Sequence, residues 1–488
     1  MLLPPSLEEL IEANHPVRTV SAIIDKLNLG SLTEGYKGGG TSSHHPRMLL
    51  KVLVFGYLSN VYSSRKLEEA LHQNIYFMWI AGMNKPDHNT INRFRSERLK
   101  DKVKEIFSQI VILLEQEGQV SLKSAFTDGT KIEANANRYT FVWGKAIKKS
   151  KDRIEKQLEE LWNYTQSVAR EELKDESAIT FKEIDSNKVK DTITKIEAAL
   201  KDKKIDYKVR QKLNYARREW PGKLEKYKSD EKILGKRNSY SKTDKDATFM
   251  RMKDDHMRND QLKPGYNLQI STNKQFILNY TLHHNPTDTR TLAAHLESFK
   301  QSYNKLPKEL TADAGYGSEE NYKLLEKSGI TGYVKYNSFD KEQKEKIKES
   351  DFKYDQEHDC YHCPEGKPLH AVSSRKRNQS EDHQSTLVTY RNISCEDCVL
   401  KKSCNPKYKY KRLQKNQQLA LIKNKVKERL NTIRGIELRK QRAHDVETVF
   451  AQIKHNKGFK RFMLRGLEKV QIETGLLAIA HNLKKMAA

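Results

Sequence analysis

Residues 46–58 read Pro-Arg-Met-Leu-Leu-Lys-Val-Leu-Val-Phe-Gly-Tyr-Leu, apolar enough for a buried helix that starts at a proline in the favoured first position. Ser63 or Ser64 can cap a second helix carrying Leu67 and Leu71 at helical spacing. Lys85-Pro86-Asp87-His88 breaks the chain before a short helix that turns Ile91 and Phe94 inward and Asn89, Asn92 and Arg93 outward. From Ser121 the period changes: Phe126, Asp128, Thr130 and Ile132 alternate as one face of a strand. A Lys- and Glu-rich stretch follows, with Ile154, Leu158, Leu161 and Val168, then Val189, Ile193, Ile196 and Leu200, at three-to-four spacing. It predicts antiparallel helices in a coiled-coil-like arm, with a less ordered stretch over 229–247.

Strand patterning returns at 263–283, a hairpin turning near Gln275. Thr287 or Asp288 can cap a helix through Leu292, Leu296 and Phe299, and Leu310 to Ala314 forms the next strand. Ser318 can cap the following helix, with Glu319 and Glu320 in its first turn and Gly329 at its end. Ile330 to Tyr336 is a fifth strand, reached by a helical crossover and so parallel to the fourth. This is the element order of an RNase H-like α/β fold, a mixed five-stranded sheet with helices. The predicted division is a helix-turn-helix-like DNA-binding domain at 1–115, a catalytic core at 116–144 and 248–350, a charged helical insert at 145–247, a Cys-rich zinc-ribbon-like insert at 351–410, and C-terminal helices of the core at 411–488.

Charge adds a partner class. The 488 residues hold 90 Lys plus Arg against 64 Asp plus Glu, a formal charge of +26, which attracts polyanions and places nucleic acid first among partners. Two short helices with Asn89, Asn92 and Arg93 exposed on the second suit a DNA reader; a helical bundle with a basic face is the competing reading. No basic-then-apolar leader and no long uncharged apolar run is visible, so a cytoplasmic location without membrane association is expected.

The candidate chemistry rests on Asp128 and Asp313 at strand ends and Glu447 on a helix. Val446, Val449, Phe450 and Ile453 give that helix an apolar stripe, beside a polar one of Lys440, His444, Glu447 and Lys454. Strand-end carboxylates far apart in sequence become neighbours if strands one and four pair, and oxygen donors suit Mg²⁺. A pair of such ions is the device for in-line displacement at phosphodiesters. All five cysteines lie in one stretch: Cys360 and Cys363, then Cys395 and Cys398, as two Cys-x2-Cys knuckles suited to a structural Zn²⁺, with Cys404 as an alternate ligand. The basic and aromatic tract from Pro406 to Arg412 suits contact with DNA, or a solvated linker.

Longer stretches carry a resemblance. They are Pro-Asp-His-Asn-Thr-Ile-Asn-Arg-Phe-Arg from Pro86, Thr-Asp-Gly-Thr-Lys-Ile-Glu-Ala-Asn-Ala-Asn-Arg-Tyr from Thr127, Met-Arg-Met-Lys-Asp-Asp-His-Met from Met250, Ala-Asp-Ala-Gly-Tyr-Gly-Ser from Ala312 and Val-Glu-Thr-Val-Phe-Ala-Gln-Ile-Lys from Val446. The chain resembles bacterial insertion-sequence transposases of the IS4-like superfamily with a DDE site, closest to the IS1182 family. The resemblance implies that Asp128, Asp313 and Glu447 hold two Mg²⁺ or Mn²⁺ ions. It also implies cleavage and strand transfer at transposon terminal inverted repeats, target DNA as the second substrate, a homodimer in the synaptic complex, and a place at the bacterial nucleoid. Lys454, Arg461, Arg465 and Lys469 are then expected on the DNA backbone. One departure stands out: the superfamily has Arg four and Tyr seven positions before its Glu, where this chain has Ala443 and Lys440, leaving Arg442 as the substitute. The alternatives are a metal-dependent endonuclease without strand transfer and a non-catalytic zinc-bearing DNA-binding protein.

Overall fold

The computed structural model describes residues 5–34, 44–169, 181, 184–252, 261–342, 347, 351–378, 384–392, 395–404 and 408–488. Of the motifs above, residues 253–257 and 406–407 lie outside them.

The strands expected at 121–133, 263–283 and 310–336 form. They are β1 (Ser124–Glu133), β2 (Leu262–Asn273), β3 (Phe276–His283), β4 (Glu309–Ala312) and β5 (Thr331–Val334). β2 and β3 are joined by Lys274 and Gln275 alone, with φ of 50° and 64°, the left-handed pair that a two-residue hairpin requires. β1 is central: antiparallel to β2 on one side and parallel to β4 on the other, with β5 parallel beyond β4. On its outer edge β2 is paired by β3 and, over Leu262 to Gly265, by a short strand Thr248–Arg251. Parallel pairing needs crossover helices, supplied by Leu292–Tyr303 before β4 and Glu319–Lys327 before β5. The second is capped as expected, Ser318 accepting from the Asn321 amide, and Gly329 (φ 69°) follows its end.

The N-terminal helices share the sheet's core. Helix Pro46–Leu58 is buried on almost every side and packs against the C-terminal helix Leu467–Met486, which also covers β3. One continuous apolar cluster runs from Ile11 through β1, β2 and β3 to Leu483. Helices Ser64–Gln73 and His88–Arg93 pack together as a DNA reader would need, but a third helix, Ile75–Ile80, lies between them in the chain.

The charged insert is a three-helix arm, Gly144–Val168, Ser186–Ala199 and Tyr207–Leu234, with its own small core of Leu158, Trp162, Val189, Ile193, Ala216 and Trp220 among others. The stretch 229–247, expected to be irregular, is ordered. Helix Tyr207–Leu234 runs through its first part, and Ser239–Ser241 pairs with Phe141–Trp143. Arg237 holds it by donating to the carbonyls of Ile233, Leu234, Lys245 and Asp246, a local clamp that composition does not reveal.

The Cys-rich segment is a five-stranded antiparallel sheet: β6 (Lys353–Asp355), β7 (Cys360–His362), β8 (Pro368–Asn378), β9 (Gln384–Arg391) and β10 (Arg412–Lys415), in sequence order. Ile433 to Asn456 is one helix interrupted by π turns at Ala443–Glu447 and Gln452–Asn456. No helix among the described residues is long and apolar enough to cross a membrane.

Burial holds His283 and His481 at about 4, below the ordinary 6.5. Between these values the unfolded chain takes up protons that the folded chain refuses, so stability falls as pH drops from 6.5 towards 4 and is level above 6.5. Thermal unfolding across that window should show the decline, and His481→Gln, which can still donate to the Gln275 carbonyl, should show a shallower one.

Candidate active site

The parallel register of β1 and β4 sets the site. Thr127 pairs with Ala312, so Asp128 and Asp313 follow side by side where the parallel pairing stops; β4 ends there, but β1 runs on to Glu133 because β2 continues to pair with it, so Asp128 lies within its strand and not at the strand end expected of it. Asp128 is only 7% exposed. Its Oδ1 accepts from the Gly129 amide at 2.7 Å, and its Oδ2 from Arg442 Nη1 at 3.1 Å. Asp313 Oδ1 accepts from the Gly315 amide at 2.8 Å, which fixes that carboxylate at the turn.

Glu447 reaches the site from the interrupted helix. Its side chain is exposed, and its Oε1 accepts from Arg442 Nη2 at 3.4 Å, so one guanidinium spans Asp128 and Glu447. The π turn explains the departure noted in the sequence. In a π turn residues five apart stack, so Arg442 takes the place that Ala443 would hold in an uninterrupted α-helix.

A fourth carboxylate joins them. Asp288, expected as a helix cap, points its Oδ1 at Gln269 Nε2 (2.7 Å) and Asn267 Nδ2 (2.8 Å) on β2. A methyl on Gly129 would fall 2.4 Å from that carboxylate oxygen, so the glycine after Asp128 is required for close approach. Tyr316, buried, donates to Gln269 Oε1 and thereby orients the amide that holds Asp288. Burial pushes the Tyr316 phenol well above its ordinary value, with Asp288, Asp128 and Asp313 adding to the shift. A Pro-Thr-Asp before a helix carries no signal that distinguishes this role from capping. A cleft of about 310 Å³ opens beside the group, lined by Gly129, Lys131, Asn267, Asp288 and Gly315 among others.

The other predicted residues are spread more widely. Lys454 is 6% exposed, packed into the structure rather than presented to solvent, because the second π turn alters the face that simple helical spacing assigns to it. Arg461 and Arg465 are exposed and tied to the chain after β1, Arg461 Nε to the Ala134 carbonyl (3.2 Å) and Arg465 Nε to that of Asn135 (2.8 Å). Lys469 is exposed on helix Leu467–Met486, and Asn89, Asn92 and Arg93 are exposed on helix His88–Arg93. Burial raises the Cys404 thiol, Lys411 opposing and Cys395, Cys363 and Cys398 adding to the shift; Cys360 lies buried on β7 beside His362 and opposite Asp355.

The donor set beside the β1–β4 pairing, carboxylate oxygens alone, fits a hard divalent cation such as Mg²⁺ or Mn²⁺. Asp128, Asp313 and Glu447 are the residues that could hold it, with Asp288 adjacent. They stand apart: among the described residues, the group of three ligand-type side chains that closes to within 4.8 Å is Asp355, Cys360 and His362.

An α/β protein with a helical N-terminal region and a curled mixed sheet is consistent with a DDE transposase. A transposase DDE domain model matches residues 362–487, and a transposase domain model (DUF772) matches residues 5–97. The chain thus carries transposase domains towards both ends, the pairing typical of IS1182-family transposases. No curated protein and no solved structure matches it.

Arg442→Met removes the cation from a buried carboxylate. It should lower stability by about 3 kcal/mol in chelator, and added Mg²⁺ should recover more stability in the variant than in the unaltered chain. Urea unfolding of both proteins with and without Mg²⁺ measures this; an equal response to Mg²⁺ would show that Arg442 and the ion do not compete for the same carboxylates.

Proposed function

We propose that the chain is the transposase of an insertion sequence, with an RNase H-like core that cuts and rejoins phosphodiesters at the element's ends using Asp128, Asp313 and Glu447. The observation that carries this reading is the in-register parallel pairing that ends in Asp128 and Asp313, with Arg442 linking Asp128 to the helix that bears Glu447. The strand order, β3-β2-β1-β4-β5, supports the RNase H-like assignment.

Bound Mg²⁺ or Mn²⁺ would supply the Lewis acidity that activates the attacking oxygen and stabilises the leaving one. The chain's own residues set the geometry. Asp128 is held within β1, where it accepts from the Gly129 amide, and Asp313 by the turn after β4, while Glu447, exposed on its helix, can adjust as substrate enters. Arg442, released from one carboxylate when a cation binds, is placed to meet a phosphate oxygen. Arg461 and Arg465, anchored to residues 134–135, present fixed positive charge for the duplex backbone beyond the end of β1, with Lys469 nearby in the chain. Asn89, Asn92 and Arg93 are the proposed readers of the terminal repeat, and pairing of two ends makes a homodimer the proposed working unit. A Zn²⁺ held by Cys363, Cys395, Cys398 and Cys404 is the proposed staple of the Cys-rich sheet.

The test is Mg²⁺-dependent cleavage and joining of a plasmid carrying the element's ends. Asp313→Asn and Glu447→Gln should each reduce both reactions by at least about 10³-fold while DNA binding persists. Cleavage without joined product would favour an endonuclease, binding alone would favour the non-catalytic reading, and variants that cut normally would refute the triad.

A further inference from the structure

Outside the acidic site, β6 and β7 bring together three side chains of a different chemistry. Cys360 stands directly opposite Asp355 in the antiparallel register, and His362, two residues on, shares its face. Cys360 Sγ lies 3.6 Å from His362 Nε2, and His362 Nε2 lies 3.4 Å from Asp355 Oδ2. Metal–ligand bonds of about 2.0 to 2.3 Å in a tetrahedron place neighbouring ligand atoms about 3.3 to 3.8 Å apart. The two separations fall within that range.

The surroundings orient each donor. His362 Nδ1 faces the Gly366 carbonyl at 3.1 Å; protonated there, the ring turns its Nε2 lone pair to the cluster, the arrangement by which a carbonyl fixes the tautomer of a metal-bound histidine. Asp355 Oδ1 accepts from the amides of Glu357 and His358 (3.0 and 3.3 Å), which leaves Oδ2 directed at the histidines. Cys360 is 2% exposed, so its thiol is sheltered from bulk oxidants. His358 Nδ1 lies 2.9 Å from the same Oδ2, on an exposed side chain that can close a fourth position.

We propose that Asp355, Cys360 and His362, completed by His358, form a binding site for a zinc-like divalent transition-metal ion, separate from the acidic site and from the four remaining cysteines. The mixed sulfur, nitrogen and oxygen donors select a borderline cation such as Zn²⁺ over Mg²⁺. Such an ion would pin β6 to β7 across their four-residue connection, at the edge of the small sheet. The site stands independently of the strand-transfer reading, because its measure is metal content.

The experiment uses the full chain, stripped with chelator, reloaded with Zn²⁺ and freed of excess ion. Bound zinc per chain is compared for the unaltered protein, His362→Ala, Cys360→Ser, Cys398→Ser and the double variant His362→Ala/Cys398→Ser. The expected result is a loss of one equivalent in His362→Ala and in Cys360→Ser, and in the double variant the sum of the two single losses. His362→Cys, which restores a ligand, should keep the ion and add a second thiolate to the charge-transfer spectrum of the Co²⁺-loaded chain; a general failure to fold would not do this. Unchanged zinc content in His362→Ala overturns the proposal. So does a double variant that loses no more than either single one when each single variant has itself lost an equivalent, since all the thiols would then share one ion.

Discussion

Carboxylates resist being gathered, so a site containing Asp128, Asp288 and Asp313 has to be imposed by interactions stronger than their repulsion. The imposing element is the backbone ladder that joins β1 to β4 in parallel. A slip of one residue would turn Asp128 to the opposite face of the sheet from Asp313. The register is secured by what surrounds it: Phe126 and Leu310 are buried in the core, and Thr127, 0% exposed, bonds through its hydroxyl to Ser271 on β2 at 2.8 Å. The carboxylates are placed by apolar packing, and Arg442 and the turn amides then offset their charge.

The same economy extends to the two ends of the chain. Helix Leu467–Met486 packs against helix Pro46–Leu58 on one side and β3 on the other, so the N-terminal region cannot move freely relative to the sheet. Buried Glu473 on that helix accepts from the amides of Met463 and Leu464, and Lys457 donates to the Tyr57 carbonyl at 3.2 Å. These contacts set the loop that carries Arg461 and Arg465. Packed structure thus joins the N-terminal helices to the residues beside β1.

Much of the core was legible because its signals are local. Alternation located β1 to β3, Gln275 marked the hairpin turn, and Ser318 and Gly329 bracketed a helix, each requiring only near neighbours along the chain. The carboxylate of Asp288 was missed because its partners, Asn267 and Gln269, lie across the fold and a helix cap accounts for the same residue at that place. Spacing also left a second neighbourhood of Cys360 unseen: Cys360-x2-Cys363 has the form of a metal knuckle, and strand pairing in addition sets Cys360 opposite Asp355 with His362 beside it. The ordered stretch around Arg237 was hidden by its composition, since Lys, Ser and Asp describe a surface loop equally well whether or not an arginine binds its carbonyls.

The helix bearing Glu447 shows why periodicity failed there and what is gained by breaking it. Two π turns within Ile433 to Asn456 each widen the helix by about one residue per turn and weaken its hydrogen bonding, a local cost that packing must offset. Val446, Val449 and Ile453 remain fully buried, so the apolar stripe still seats the helix on the sheet. Asp445, also buried, accepts from the Gln275 amide at 2.9 Å and fixes the first π turn against the β2–β3 hairpin. With the turn held in this way, Arg442 and Glu447 face one another and Asp128 together, whereas regular α-helical spacing would offer the short, uncharged Ala443. The irregularity thus restores a cation to a position where the bare spacing had removed it, and the hairpin that defines β2 and β3 is also what holds that irregularity in place.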